Sequence, residues 1–135
     1  MNPDQINWLA VVAAALSTFV VGGLWYSPIL FGKVWLKANS FTEAQAQSFN
    51  KARAFGGAFV LALIMSANLA MFLADPTTTV LWGMTAGALA GIGWAAAGLA
   101  VVALFENRSL TYILVNGGYL AVSFVLMGAI LGAWR

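Results

Sequence analysis

The sequence contains no cysteine and no histidine. Disulfides, thiol chemistry, the usual haem and iron–sulfur ligands and a histidine proton switch are thereby excluded. Charge is almost as scarce, with six Lys/Arg and four Asp/Glu making up 7% of the chain. A soluble domain of this length needs a charged surface, which ten residues cannot supply. The formal charge of +2 does not point to nucleic acid, because six basic residues spread over the flanks of apolar blocks cannot track a phosphate backbone. All four carboxylates, Asp4, Glu43, Asp75 and Glu106, stand at or beyond block ends, so none marks a proton or ion path at mid-bilayer. Asp4 and Asp75 alone make a weak cation signal. No Ser or Thr inside a block has a candidate His or Lys base. The expectation is a protein without catalytic residues, metal or cofactor.

Long apolar runs dominate what is present. The chain is 62% hydrophobic, and the apolar residues fall in four blocks at about 5–25, 53–74, 80–105 and 110–134. Each supplies the roughly 20 residues needed to cross a hydrocarbon core of about 30 Å. The predicted fold is all-α and integral to the membrane: one domain, residues 1–135, of four transmembrane helices. Residues 1–5 lack the positive charge of a secretory leader, so the first block is expected to be retained. Asn2-Pro3 reads as its cap and first turn. Asp75-Pro76 closes the second span, a threonine among 77–79 caps the third, and Ser109 caps the fourth.

Four spans place both termini and the 75–79 turn on one side, with Arg135. Lys33, Lys37, Lys51, Arg53 and Arg108 fall on the other. That bias predicts a cytosolic 27–52 loop and external termini, in a bacterial inner membrane. Within the loop, Ser27 and Pro28 predict the cap and first turn of a short interfacial helix carrying Lys33 and Lys37 on one face. Asn39-Ser40 breaks it. Ser40-x-x-Glu43 and Thr42-x-x-Gln45 both fit a capping box, from which a helix is expected to run unbroken into the second span. Lys33, Lys37, Lys51 and Arg53 are the candidate contacts to anionic lipid headgroups.

Transmembrane helices associate through small residues and polar contacts. Ala58, Ala62 and Ser66 belong to a series at four-residue spacing in the second span, and Gly83, Gly87 and Gly91 form a doubled G-x-x-x-G in the third. The first reading is packing inside one bundle; the alternative is that the Gly83/Gly87/Gly91 stripe faces a neighbouring subunit. Glycines at 22–23, 56–57, 98 and 117–118 fall at similar depth, forming either a close-packed layer or a small cavity. Asn68 and Asn116 differ in depth by roughly 10 Å at helical rise, too far apart to bond each other. Asn116, Gly117, Gly118, Tyr119 and mid-span Trp94 are the candidates for a pocket, set against the more ordinary role of packing.

The run Trp25-Tyr26-Ser27-Pro28-x-x-Phe31-Gly32-Lys33-x-Trp35, closed by Lys37, is the candidate membrane-interface motif. It resembles the hallmark of the small bacterial membrane proteins grouped as domain of unknown function 1761. Asn7-Trp8, the run from Leu104 to Ser109, Asn116-Gly117-Gly118-Tyr119 and the ending Met127 to Gly132 fit the same family, so the resemblance spans the chain. It implies four membrane spans and names no reaction. Two functions follow as expectations. One is a non-enzymatic membrane protein that self-associates or serves as an accessory subunit, with lipids and a second copy or another membrane protein as partners. The other is a narrow channel or transporter for a small neutral or amphipathic molecule, lined by Asn116, Tyr119, Trp94 and the glycine layer.

Overall fold

Two asparagines share the entry to the first span. In the computed structural model, which describes residues 2–135, Asn2 caps a single 3-10 turn over Pro3–Gln5. Asn7 then caps helix α1 (Trp8–Trp25), its side-chain oxygen accepting from the Leu9 and Ala10 N–H groups at 3.1 and 3.2 Å. The span therefore starts at Trp8 rather than residue 5, because the second asparagine sits where orphan N–H groups of an α-helix need an acceptor.

The loop departs from expectation twice. Helix α2 covers Gly32–Asn39 and does not begin at Ser27-Pro28. The Ser27 hydroxyl is turned back to the Leu24 carbonyl at 2.7 Å, where it helps close α1, so it is not free to open a new helix. Ser40 ends α2 in the left-handed conformation, at φ 56°. Helix α3 (Glu43–Gln47) then starts with the Thr42/Gln45 capping box, both of whose bonds form. It does not continue into the second span. Asn50 caps a separate helix α4 (Lys51–Phe72) by accepting from Arg53 N–H, and a competing cap of this kind is enough to restart the backbone.

The third span is one rod from Val80 to Phe105, made of α5 (Val80–Ala90), a π-helical segment Gly91–Ala96 and α6 (Ala97–Phe105). Its 26 residues give roughly 39 Å at the usual rise, longer than a bilayer core of about 30 Å. Helix α7 (Leu110–Ala133) is the fourth span. Thr79, one of the three threonines expected there, caps α5, and Ser109 caps α7 as expected, each bond at 3.1 Å. No strand occurs among the described residues, and four helices are long and apolar enough to cross a membrane.

The spans form an open row rather than a closed bundle. The third span lies along α7, α7 against α1, and α1 against α4, with α4 touching α7 lightly. The shared core consists of small and medium side chains, Ala10, Val11, Ala14, Leu69, Leu73, Phe124, Met127 and Leu131 among them. Ala62 and Ser66 face α1, where the buried Ser66 hydroxyl donates to the Val11 carbonyl at 2.9 Å; Ala58, from the same series, is exposed. Asn68 donates to Ile64 of its own helix and joins nothing to α4.

Glycine seals α5 to α7. A Cβ on Gly83 would run into the Gly128 carbonyl, one on Gly128 into the Gly83 carbonyl, and one on Gly87 into the Phe124 carbonyl. The doubled G-x-x-x-G is thus occupied within the chain and presents nothing to a neighbouring subunit.

Topology also places the ends. The Asn2 N–H donates to the Ala74 carbonyl at 3.1 Å, and the Arg135 guanidinium to the Asp75 carbonyl at 2.7 Å. Both termini and the α4–α5 turn therefore share one end, and the basic loop occupies the other. Within the turn, Thr77 donates its hydroxyl and its N–H to Asp75 at 2.6 and 2.8 Å, bonds that hold the Asp75 carboxyl below its ordinary pKa.

Candidate functional site

At the loop end, the residues after α1 fold back on themselves before α2 begins. Phe31 N–H donates to the Trp25 carbonyl and Gly32 N–H to the Ser27 carbonyl, both at 2.9 Å. The fold-back is so tight that a Cβ on Gly32 would stand 2.5 Å from the Tyr26 carbonyl oxygen and 2.8 Å from the Ser27 carbonyl. Phe31 is thereby brought against the Trp25 ring, with centroids 4.6 Å apart.

This knot grips α7. The Trp25 indole N–H donates to the Val115 carbonyl at 2.8 Å, and its ring covers Gly118, where a Cβ would come within 2.7 Å of it. The Tyr26 hydroxyl donates to the Asn116 side-chain oxygen at 2.6 Å, while the Asn116 amide donates to the Tyr112 carbonyl at 3.1 Å. Tyr119 reaches the other way, its ring over Gly22 and its hydroxyl 3.4 Å from the Thr18 carbonyl. Trp35 meets Tyr26 edge-on at 5.8 Å, and Phe41 meets Trp35 at 5.7 Å. Burial, reinforced by Tyr119 and Tyr112, pushes the Tyr26 phenol above its usual range. The protonated hydroxyl is the donor that the Asn116 bond requires.

The two sequence motifs are therefore two halves of one structure. Trp25, Tyr26, Phe31, Gly32 and Trp35 interlock with Asn116, Gly118 and Tyr119, and a Cβ on Gly117 would meet Ala96 of the π segment at 3.4 Å. Asn116 and Tyr119 of the expected pocket are spent on Tyr26 and on the Tyr112 and Thr18 carbonyls. Trp94 does not join them. It is 72% exposed and lies with Phe72, Leu69, Trp82, Ala86 and Ala90 along an apolar groove of about 370 Å³ between α4 and the third span. The glycines of the layer divide likewise: a Cβ on Gly22, Gly117 or Gly118 would meet a neighbour, whereas one on Gly23, Gly56, Gly57 or Gly98 would meet nothing within 4 Å. Neither a single closed layer nor a single cavity describes them.

A family model described as "protein of unknown function (DUF1761)" matches residues 9–132. The chain belongs to this family. No curated protein and no solved structure matches it. In this family member, both halves of the knot lie inside the matched span.

Lys33, Lys37, Lys51, Arg53 and Arg108 all sit at the knot's end of the molecule, where the Arg108 guanidinium lies 4.9 Å over the Tyr112 ring. Beside the knot, α2 and α3 both line an open pocket of about 320 Å³, with Tyr26, Lys33, Trp35, Leu36, Glu43 and Gln47 among its walls. Glu43 and Gln47 carried no site signal in the sequence beyond capping and loop polarity. Only the turn through Ser40 brings them to Lys33. Among the described residues, no group of three or more Asp/Glu stands close enough to hold a metal ion.

Proposed function

We propose that the protein is a non-enzymatic membrane subunit that pairs with a second copy of itself through the open side between α4 and the third span. One observation carries this reading. The third span buries only 11% of its apolar window within the chain, against 33% for α7, because α7 is its one substantial neighbour. Glycine gives a helix no packing benefit toward lipid, yet Gly93 and Gly98 lie on this rod where an added Cβ would meet nothing within 4 Å. Trp94 is an exposed knob beside a groove of about 370 Å³. A knob adjoining a hole on one face is what a two-fold contact requires. The basic end is assigned to the cytosol of a bacterial inner membrane, following its excess of Lys/Arg. The aromatic knot then serves as a rigid cap at the lipid headgroup level, with Lys33, Lys37, Lys51 and Arg53 toward anionic lipid.

The test is crosslinking in native membranes through cysteines introduced at Gly93 and Gly98, with the buried Ser123 as a control position inside the chain. Crosslinks between copies at the first two and none at the third are expected, together with a dimer mass in mild detergent that Trp94→Ala lowers. A monomer that gives no crosslink at any of the three positions would sink the reading.

A further inference from the structure

The pocket between α2 and α3 carries opposite charges on facing helices. Lys33 stands on the first turn of α2 and Glu43 on the first turn of α3, with no ion pair between them among the described residues. Tyr26 and Trp35 furnish aromatic walls, and Gln47 adds an amide. No side chain caps the N-terminus of α2, whose Gly32 N–H is held by the Ser27 carbonyl, and Gly32 and Lys33 of its first turn line the same space. The place matters as much as the chemistry. Tyr26 directly follows the last residue of a membrane span, which puts the pocket at the headgroup level. Pro28 lines it too, and the neighbouring turn exposes Ile29 at 89% and Leu30 at 48%, an apolar tip beside a polar hollow.

A purely anionic ligand would confront the Glu43 carboxylate, and a purely cationic one would confront the Lys33 ammonium. A ligand carrying both charges a few bonds apart meets neither penalty. We propose that this pocket binds an ammonium–phosphate zwitterion of the phosphoethanolamine class, Lys33 and the start of α2 taking the phosphate, Glu43 and Gln47 the ammonium. A primary ammonium has N–H donors for a carboxylate and an amide oxygen, which a quaternary ammonium lacks. The aromatic faces of Tyr26 and Trp35 favour the cationic end further. The inference rests on the placement of the loop at the membrane surface and is independent of pairing between copies.

Native mass spectrometry of the full chain in mild detergent reads this out, with phosphatidylethanolamine, phosphatidylcholine and phosphatidylglycerol of matched acyl chains. Phosphatidylethanolamine adducts are expected to exceed the other two. Lys33→Gln and Glu43→Gln should each weaken that preference by about tenfold, the scale of one charge-assisted hydrogen bond. Lys37→Gln, outside the pocket, should leave it unchanged. Glu43→Gln is the decisive variant, because attraction of anionic lipid by the basic loop alone would be strengthened by losing a carboxylate. Glycerophosphoethanolamine added as competitor separates the sources of the zwitterion. Displacement assigns the pocket to soluble forms as well, and retention assigns it to the lipid. Equal retention of the three lipids by the wild type, preference for phosphatidylglycerol, or an undiminished preference in Glu43→Gln would overturn the proposal. The dimer mass is read in the same spectra, so failure of the zwitterion site and failure of pairing are separately visible.

Discussion

Gly32 and Gly98 show how differently one residue type is used along this chain. A methyl group on Gly32 meets the backbone of Tyr26 and Ser27, which cannot move without undoing the fold-back, whereas one on Gly98 meets nothing within 4 Å. Gly32→Ala is therefore expected to cost about 2 kcal/mol or more by overpacking. Gly98→Ala should be neutral or gain up to about 1 kcal/mol of helix propensity while the chain is monomeric. Thermal melting in detergent compares the two, and equal effects would contradict the geometry. The Tyr26–Asn116 bond invites a double-mutant cycle with Tyr26→Phe and Asn116→Ala. A coupling of about 1 kcal/mol is expected, since either single change strands a partly buried polar partner. Additive effects would mean that the knot is held by its rings alone. Sequence had singled out these residues but not their pairing: Tyr26 and Asn116 are 90 positions apart, and no local signal joins them.

Among the elements, the α5–α7 contact is set by backbone rather than side chain. Gly87→Ala should destabilise by about 1–3 kcal/mol, because the added Cβ meets the Phe124 carbonyl, and a carbonyl inside a helix has little room to yield. Gly57→Ala, with open space around it, is the matched control on α4, and both are read by thermal melting. The four-residue spacing of Gly83, Gly87 and Gly91 was legible as a packing face, but its partner was not. Spacing reports which residues share a helix face and says nothing of what lies opposite. Ser109 was equally legible as a cap, and Thr42 and Thr79 each as one of two or three candidates, since a cap needs only its own next three residues. The boundaries that failed were those where two local signals competed: Asn7 over Asn2-Pro3, Ser27 closing α1 rather than opening α2, and Asn50 interrupting the expected run from Glu43. Asn50→Ala tests the last case. Hydrogen exchange should rise at the first turn of α4 with a local cost of about 1 kcal/mol, and unchanged protection there would show the break to be imposed by the loop.

For the molecule as a whole, the row α4–α1–α7–α5/α6 leaves two spans that scarcely meet, and that open side carries the pairing proposal. The orientation rests on charge. A periplasm-active reporter at the C-terminus is expected to be active, and reversing Lys33, Lys37, Lys51 and Arg53 to Glu should reduce that activity by inverting part of the population. Activity unchanged by all four reversals would mean that the loop's cations do not orient the chain. By itself the sequence determined four apolar spans, their alternation, the basic end and the family, because each depends on composition and local order along the chain. Tertiary structure decided what those residues do for one another. It joined Trp25–Trp35 to Asn116–Tyr119 as one knot, spent the Gly83–Gly91 stripe on α7, and set Trp94 beside Phe72 of α4. It also set Glu43 across from Lys33. Those outcomes depend on which helix faces meet, and a face is chosen by close packing among all four spans at once, which no window along the sequence contains.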